Sequence, residues 1–179
     1  HMRLDASQLS PLLEGLLRRL MHVSAQDHEA SQTLSKQLNA VVLRILSMSH
    51  GDDVYQALFS LLVSTTADVA AGDQAQLAEL VVKCLWKVAR KLPAALEAKQ
   101  VHAEALLRSV ERFFEAIPPS EWAQRAQKHV PRRDIPLITA TNVLKQLTDT
   151  LGEGALAATD AWTEPEKTHV YRYLLRLLH

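Results

Sequence analysis

Cysteine and glycine are both scarce in this chain. A single cysteine, Cys84, excludes an internal disulfide and makes a reducing compartment, the cytoplasm, the simpler expectation. An excess of either charge is missing too, since 20 lysines and arginines face 20 aspartates and glutamates. A neutral domain lacks the electrostatic footprint of a nucleic-acid binder, so neither DNA nor RNA is an expected partner. No apolar run approaches the ~20 residues of a membrane span and no secretory signal is seen, so no membrane partner is expected. The glycine-rich loops and paired-histidine helices that mark phosphate-binding and metalloprotease sites are absent, and so is a nucleophile elbow. The chain is therefore expected to be no enzyme and to need no cofactor.

Isolated chemistry has simple structural explanations. The six internal histidines (His22, His28, His50, His102, His129 and His169) are dispersed, and no two lie four residues apart, so spacing points to no helical metal site. The run His50, Gly51, Asp52, Asp53 has ligand-like groups, but a turn glycine followed by a capping aspartate accounts for it. Cys84 lies on an apolar stripe, where a free cysteine behaves as a small hydrophobe.

Helical periodicity is what the chain does have. From Gln76 to Pro93, residues Leu77, Leu80, Val81, Cys84, Leu85, Val88 and Leu92 recur at the spacing that gathers them on one face of an α-helix. Val82, Trp86 and Ala89 widen that face, and Lys83, Lys87 and Arg90 lie opposite. A helix with an apolar surface this wide needs neighbours on two sides, as in the middle of a stacked array. Four of the five glycines (Gly51, Gly72, Gly152 and Gly154) fall between periodic segments, where helix ends favour a residue that tolerates positive φ.

The other segments follow suit. A first helix from Ser7 or Ser10 to Met21 carries Leu12, Leu13, Leu16, Leu17 and Leu20, with Pro11 in its first turn. A second uses Leu34, Leu38, Val41, Val42 and Ile45. Asp52 is expected to cap a third, with Val54, Leu58, Leu61, Leu62 and Val69 inward. After Pro93, a helix from Lys99 to Ile117 buries Val101, Ala105, Leu106, Val110, Phe113 and Phe114, and Pro118 and Pro119 stop it. A short helix begins at Ser120. Asp134 caps the next, which buries Leu137, Ile138, Thr141, Leu144 and Leu147 and ends at Gly152. Thr163 and Glu166 have capping-box spacing for a last helix.

Asp5, Asp52 and Glu97 mark the starts of successive helix pairs, a period of ~45 residues within the HEAT-type range. The fold expected is an all-α HEAT-repeat solenoid of three to four stacked hairpins. His1 and Met2 read as a cloning scar, and residues 3–179 as a single domain excised from a longer protein.

Two features suit partner binding. Arg125, Lys128, His129, Arg132 and Arg133 form the most basic cluster, suited to an acidic protein surface unless it is only a solvated turn. In the last helix Val170, Tyr173, Leu174 and Leu177 make one apolar stripe, and Tyr171, Leu175 and Leu178 make a second, which Trp162 would extend.

The stretch Glu79 to Pro93, ELVVKCLWKVARKLP, resembles the corresponding helix in the C-terminal conserved domain of the mini spindles and ch-TOG family of microtubule polymerases. Leu144 to Leu156 supports the resemblance, and the pattern of helices is similar over most of the chain. The resemblance implies a TOG-like HEAT-repeat domain that helps to place the polymerase at centrosomes and spindle poles through a TACC-family coiled coil. It implies a module whose parent protein reaches tubulin and microtubules elsewhere, and the isolated domain is expected to be monomeric. Tubulin-binding TOG domains present a tryptophan on the first intra-repeat turn and basic residues on later turns of that edge. Here the turn from Ser24 to Ser31 has neither tryptophan nor lysine and the AAGD turn at Gly72 has no cation, so direct tubulin binding is the alternative rather than the first expectation.

Overall fold

The computed structural model describes residues 4–26, 28–67, 72–127 and 134–179. Among these, every regular element is helical. Helix α1 (Ala6–Ser24) opens at a reciprocal cap, in which Asp5 Oδ1 accepts from the Gln8 amide at 3.0 Å and Gln8 Oε1 accepts from the Asp5 amide at 3.3 Å. The Ser7 hydroxyl also donates to Asp5, and this bond, followed by the Gln8 amide, holds the Asp5 carboxyl below its usual range. The helix thus starts before Ser7, and Pro11 lies in its second turn rather than its first. Its ring there removes the donor that the Ser7 carbonyl would take in an unbroken helix.

Helix α2 (Glu29–Met48) buries Val42 and Leu46 and half-buries Leu38 and Ile45. Leu34 and Val41, expected inward, are 38% and 46% exposed. The reason is tertiary: α2 packs chiefly on α1, so only a narrow strip of it is covered. Helix α3 (Gly51–Thr66) inserts Val54, Leu58, Leu61 and Leu62 into the core as expected, while Val69 lies outside the described residues. Helix α4 (Asp73–Ala89) keeps Leu77, Val81 and Leu85 fully from water and buries Val82, Cys84 and Ala89. Gly72 precedes it at φ +92, a conformation that side chains disfavour.

Pro93 does not close α4. It lies in the first turn of a short helix α5 (Leu92–Glu97), and the following helix α6 starts at Ala103 rather than near Lys99 (Ala103–Ala116). Helix α7 (Pro119–Gln127) begins on the prolines that end the previous segment. Helix α8 (Ile135–Leu151) buries Val143, Leu144 and Leu147, but Ile138 is exposed and Asp134 makes no side-chain cap. A short α9 (Glu153–Ala157) precedes a 3₁₀ turn (Pro165–Lys167) and the last helix, α10 (His169–Leu178). Thr168, not Thr163, caps α10, its hydroxyl accepting from the Tyr171 amide at 3.2 Å.

The helices stack as in an α-solenoid. Helix α3 lies against α1 and α6, and α10 against α6, forming one layer; α4 pairs with α3 and meets α8 in the other. One apolar core runs through both layers, with Phe113 at the centre of an aromatic group whose ring centroids stand 6.1 Å from Phe59, 5.7 Å from Phe114 and 5.9 Å from Trp122. Trp86, 43% exposed, ties α4 to α8 within their layer by donating from Nε1 to Thr139 Oγ1 at 3.0 Å. Helix α4 therefore has packed neighbours on two sides, as its wide apolar surface requires.

Candidate functional site

Helix α10 is held at its N-terminus by a side chain from another element. Glu111 of α6, itself buried, accepts from the His169 amide at 3.0 Å through Oε1 and from the Val170 amide at 2.7 Å through Oε2. A carboxylate at a helix N-terminus satisfies amides that have no partner within the helix and meets the positive end of the dipole. Val170 and Leu174, below this clamp, are fully excluded from water. Orientation of α10 about its own axis is thereby set. Leu175 is left 39% exposed, with Tyr171 and Leu178 half-buried beside it. These three are spaced by four and then three residues, the spacing of a coiled-coil seam. Arg172 and Arg176 flank them, and Arg172 also donates from Nε to the Glu166 carbonyl at 3.1 Å. Leu177, on the same stripe as Val170 and Leu174, is exposed on the other flank.

Two expected members of the partner surface lie elsewhere. Trp162 is buried in the core, with the Arg108 guanidinium 5.1 Å from its ring centroid, and does not extend the ridge. Arg125 is buried as well. Its guanidinium donates to the Thr66 carbonyl at 2.7 Å, the Ala67 carbonyl at 3.1 Å and Glu121 at 3.0 Å, and it stands 5.0 Å from the Trp122 ring centroid. It closes the C-terminus of α3, where the last carbonyls have no helical donor and the dipole favours a cation. Arg125 is thus a tertiary cap, not part of a solvated basic patch. Lys128, His129, Arg132 and Arg133 lie outside the described residues.

Two further features were not legible in spacing. Helices α1, α2 and α4 enclose a cleft of ≈ 600 Å³, with Leu20 and Met21 of α1, Ser35 and Asn39 of α2 and Leu80 and Lys83 of α4 in its walls. Across the molecule, the starts of α3 and α6 touch. The His102 amide donates to Asp52 Oδ1 at 2.8 Å, and His102 Nδ1 lies 2.7 Å from Asp52 Oδ2. The rings of His50 and His102 stack with centroids 6.1 Å apart. His50, not Asp52, is the residue before α3, and its counterpart before α6 is His102. Among the described residues, His50, Asp52 and His102 are a set whose donor atoms could hold a metal ion.

Neither a family model nor a solved structure matches the chain.

Proposed function

We propose that this chain is the C-terminal TOG-like domain of a mini spindles and ch-TOG type microtubule polymerase. In this reading it is a non-catalytic HEAT-repeat module that recruits its parent protein to centrosomes and spindle poles by docking a TACC-family coiled coil. Besides the sequence resemblance, the outer face of α10 carries this proposal. Tyr171, Leu175 and Leu178 form a seam of coiled-coil spacing on a helix whose other side is locked by Val170, Leu174 and the Glu111 clamp. A partner helix gains apolar burial there without any rearrangement of the domain, and Arg172 and Arg176 favour acidic side chains along its edge.

Titration of the domain with a TACC-family coiled coil tests the proposal. Binding is expected for the unaltered chain and is expected to be lost when Leu175 and Leu178 are both changed to glutamate, with melting temperature little changed. Unchanged binding by that variant would remove α10 from the site. Co-elution with tubulin at physiological salt would favour the tubulin-binding alternative instead.

A further inference from the structure

We propose that His50, Asp52 and His102 form a binding site for a divalent transition-metal ion, zinc foremost, that staples the starts of α3 and α6 together. The donor atoms of the three residues all lie within 4.8 Å of one another. Asp52 Oδ2 is 2.7 Å from His102 Nδ1 and 3.7 Å from His50 Nδ1. Zinc bonds to nitrogen and oxygen of roughly 2.0 to 2.2 Å in a tetrahedron place donor atoms about 3.3 Å apart. The two separations to Asp52 bracket that spacing, and with the third at most 4.8 Å the donors need only draw together by side-chain rotation to seat an ion.

His50 supplies the independent sign of a ligand. Its Nδ1 is buried and has no hydrogen-bond partner among the described residues, although it faces the Asp52 carboxylate. At 3.7 Å the pair is too far apart for a hydrogen bond, and an orphaned buried nitrogen is unfavourable. An ion between the two groups satisfies it. The site is also rigid behind the ligands. A Cβ on Gly51 would stand 2.5 Å from the Gln100 carbonyl oxygen, so the two turns are in backbone contact, and the His102 amide further anchors Asp52. Hydrogen bonds and packing behind the ligands, as here, are what orient them towards an ion.

Ligand chemistry selects the ion. Two imidazoles and one carboxylate suit zinc and its neighbours and offer too few oxygens for calcium or magnesium. Two helix N-termini bring partial positive charge, but Asp52 and Asp53 in the first turn of α3 oppose it. His102 is 60% exposed, which leaves water access to a fourth coordination position.

Calorimetric titration with zinc chloride and absorption spectroscopy with cobalt(II) test the site, with magnesium as the negative control. The expected result is one ion per chain, a tetrahedral cobalt spectrum, and a melting temperature that rises with zinc and returns on adding a chelator. His50→Gln and His102→Gln should each weaken binding by at least about tenfold. His22→Gln and His1→Ser, which leave the ligands intact, should not. His102 is mostly exposed, so its variant remains folded and decides the matter even where others do not. Absence of saturable binding, or equal binding by the His102→Gln variant, would overturn the proposal and leave the cluster as a hydrogen-bonded clasp.

Discussion

At the scale of single residues, the side chains that hold this fold together in unexpected ways are polar. Arg125 would ordinarily be read as a surface cation, yet it is stacked near Trp122 and spends its donors on the end of α3. Changing Arg125 to alanine leaves the Thr66 and Ala67 carbonyls without that donor, and a loss of about 1 to 3 kcal/mol is expected in chemical denaturation. A surface arginine would instead give within about 0.5 kcal/mol. Gly51 makes a parallel case. It is not needed for a positive φ; it is needed because a Cβ would strike the Val101 side chain and the Gln100 carbonyl. Gly51→Ala is therefore expected to destabilise by about 1 to 3 kcal/mol, although alanine is the better helix former. A neutral or stabilised variant would mean that the two turns do not meet.

At the scale of elements, α10 divides into an inner and an outer half. Leu174→Ala removes a fully buried side chain and is expected to cost about 2 to 5 kcal/mol. Leu175→Glu, one position on, is expected to leave stability nearly unchanged, and the two substitutions measured by thermal melting check the orientation of the helix. Glu111→Gln tests the clamp. Loss of the charge weakens two charge-assisted bonds to the His169 and Val170 amides, so hydrogen exchange of the first turn of α10 should accelerate before that of α4. Equal acceleration in both helices would show that α10 unfolds only with the whole domain.

At the scale of the molecule, stability should decline on the alkaline side. Burial pushes the Cys84 thiol from 9.0 up to about 11, and it raises the Tyr55 hydroxyl as well, whose oxygen has no hydrogen-bond partner among the described residues. In the unfolded chain both groups ionise at their ordinary values; in the folded chain they stay neutral longer. The stability that Cys84 contributes is complete below pH 9.0 and is lost as the pH rises towards 11, and the contribution of Tyr55 declines from pH 10.0 upward. Melting temperature measured across that window should fall, and should fall less steeply in a Cys84→Ala, Tyr55→Phe variant. Cys84 in the native state should likewise resist alkylation at neutral pH, because the thiolate is the reactive form.

The all-helical character was legible in the sequence because an apolar stripe every three to four residues has no other economical burial. Leu77, Val81 and Leu85 illustrate this, all three fully excluded from water as their spacing requires. Helix boundaries were less legible: Asp5 outcompetes Ser7 and Ser10 as a cap because Gln8 returns its bond, and Thr168 replaces Thr163 because the chain turns once more through Pro165–Lys167. Periodicity also identified Tyr171, Leu175 and Leu178 as a second stripe, but could not say which stripe docks. The Glu111 clamp and the neighbouring α6 and α8 decide that. The same limit explains Val41, Trp162 and Arg125, whose exposure depends on whether another helix lies over them. His50 and Asp52 meet His102 only because α3 packs on α6, and contacts between residues so far apart in the chain are set by tertiary packing, which local spacing does not encode.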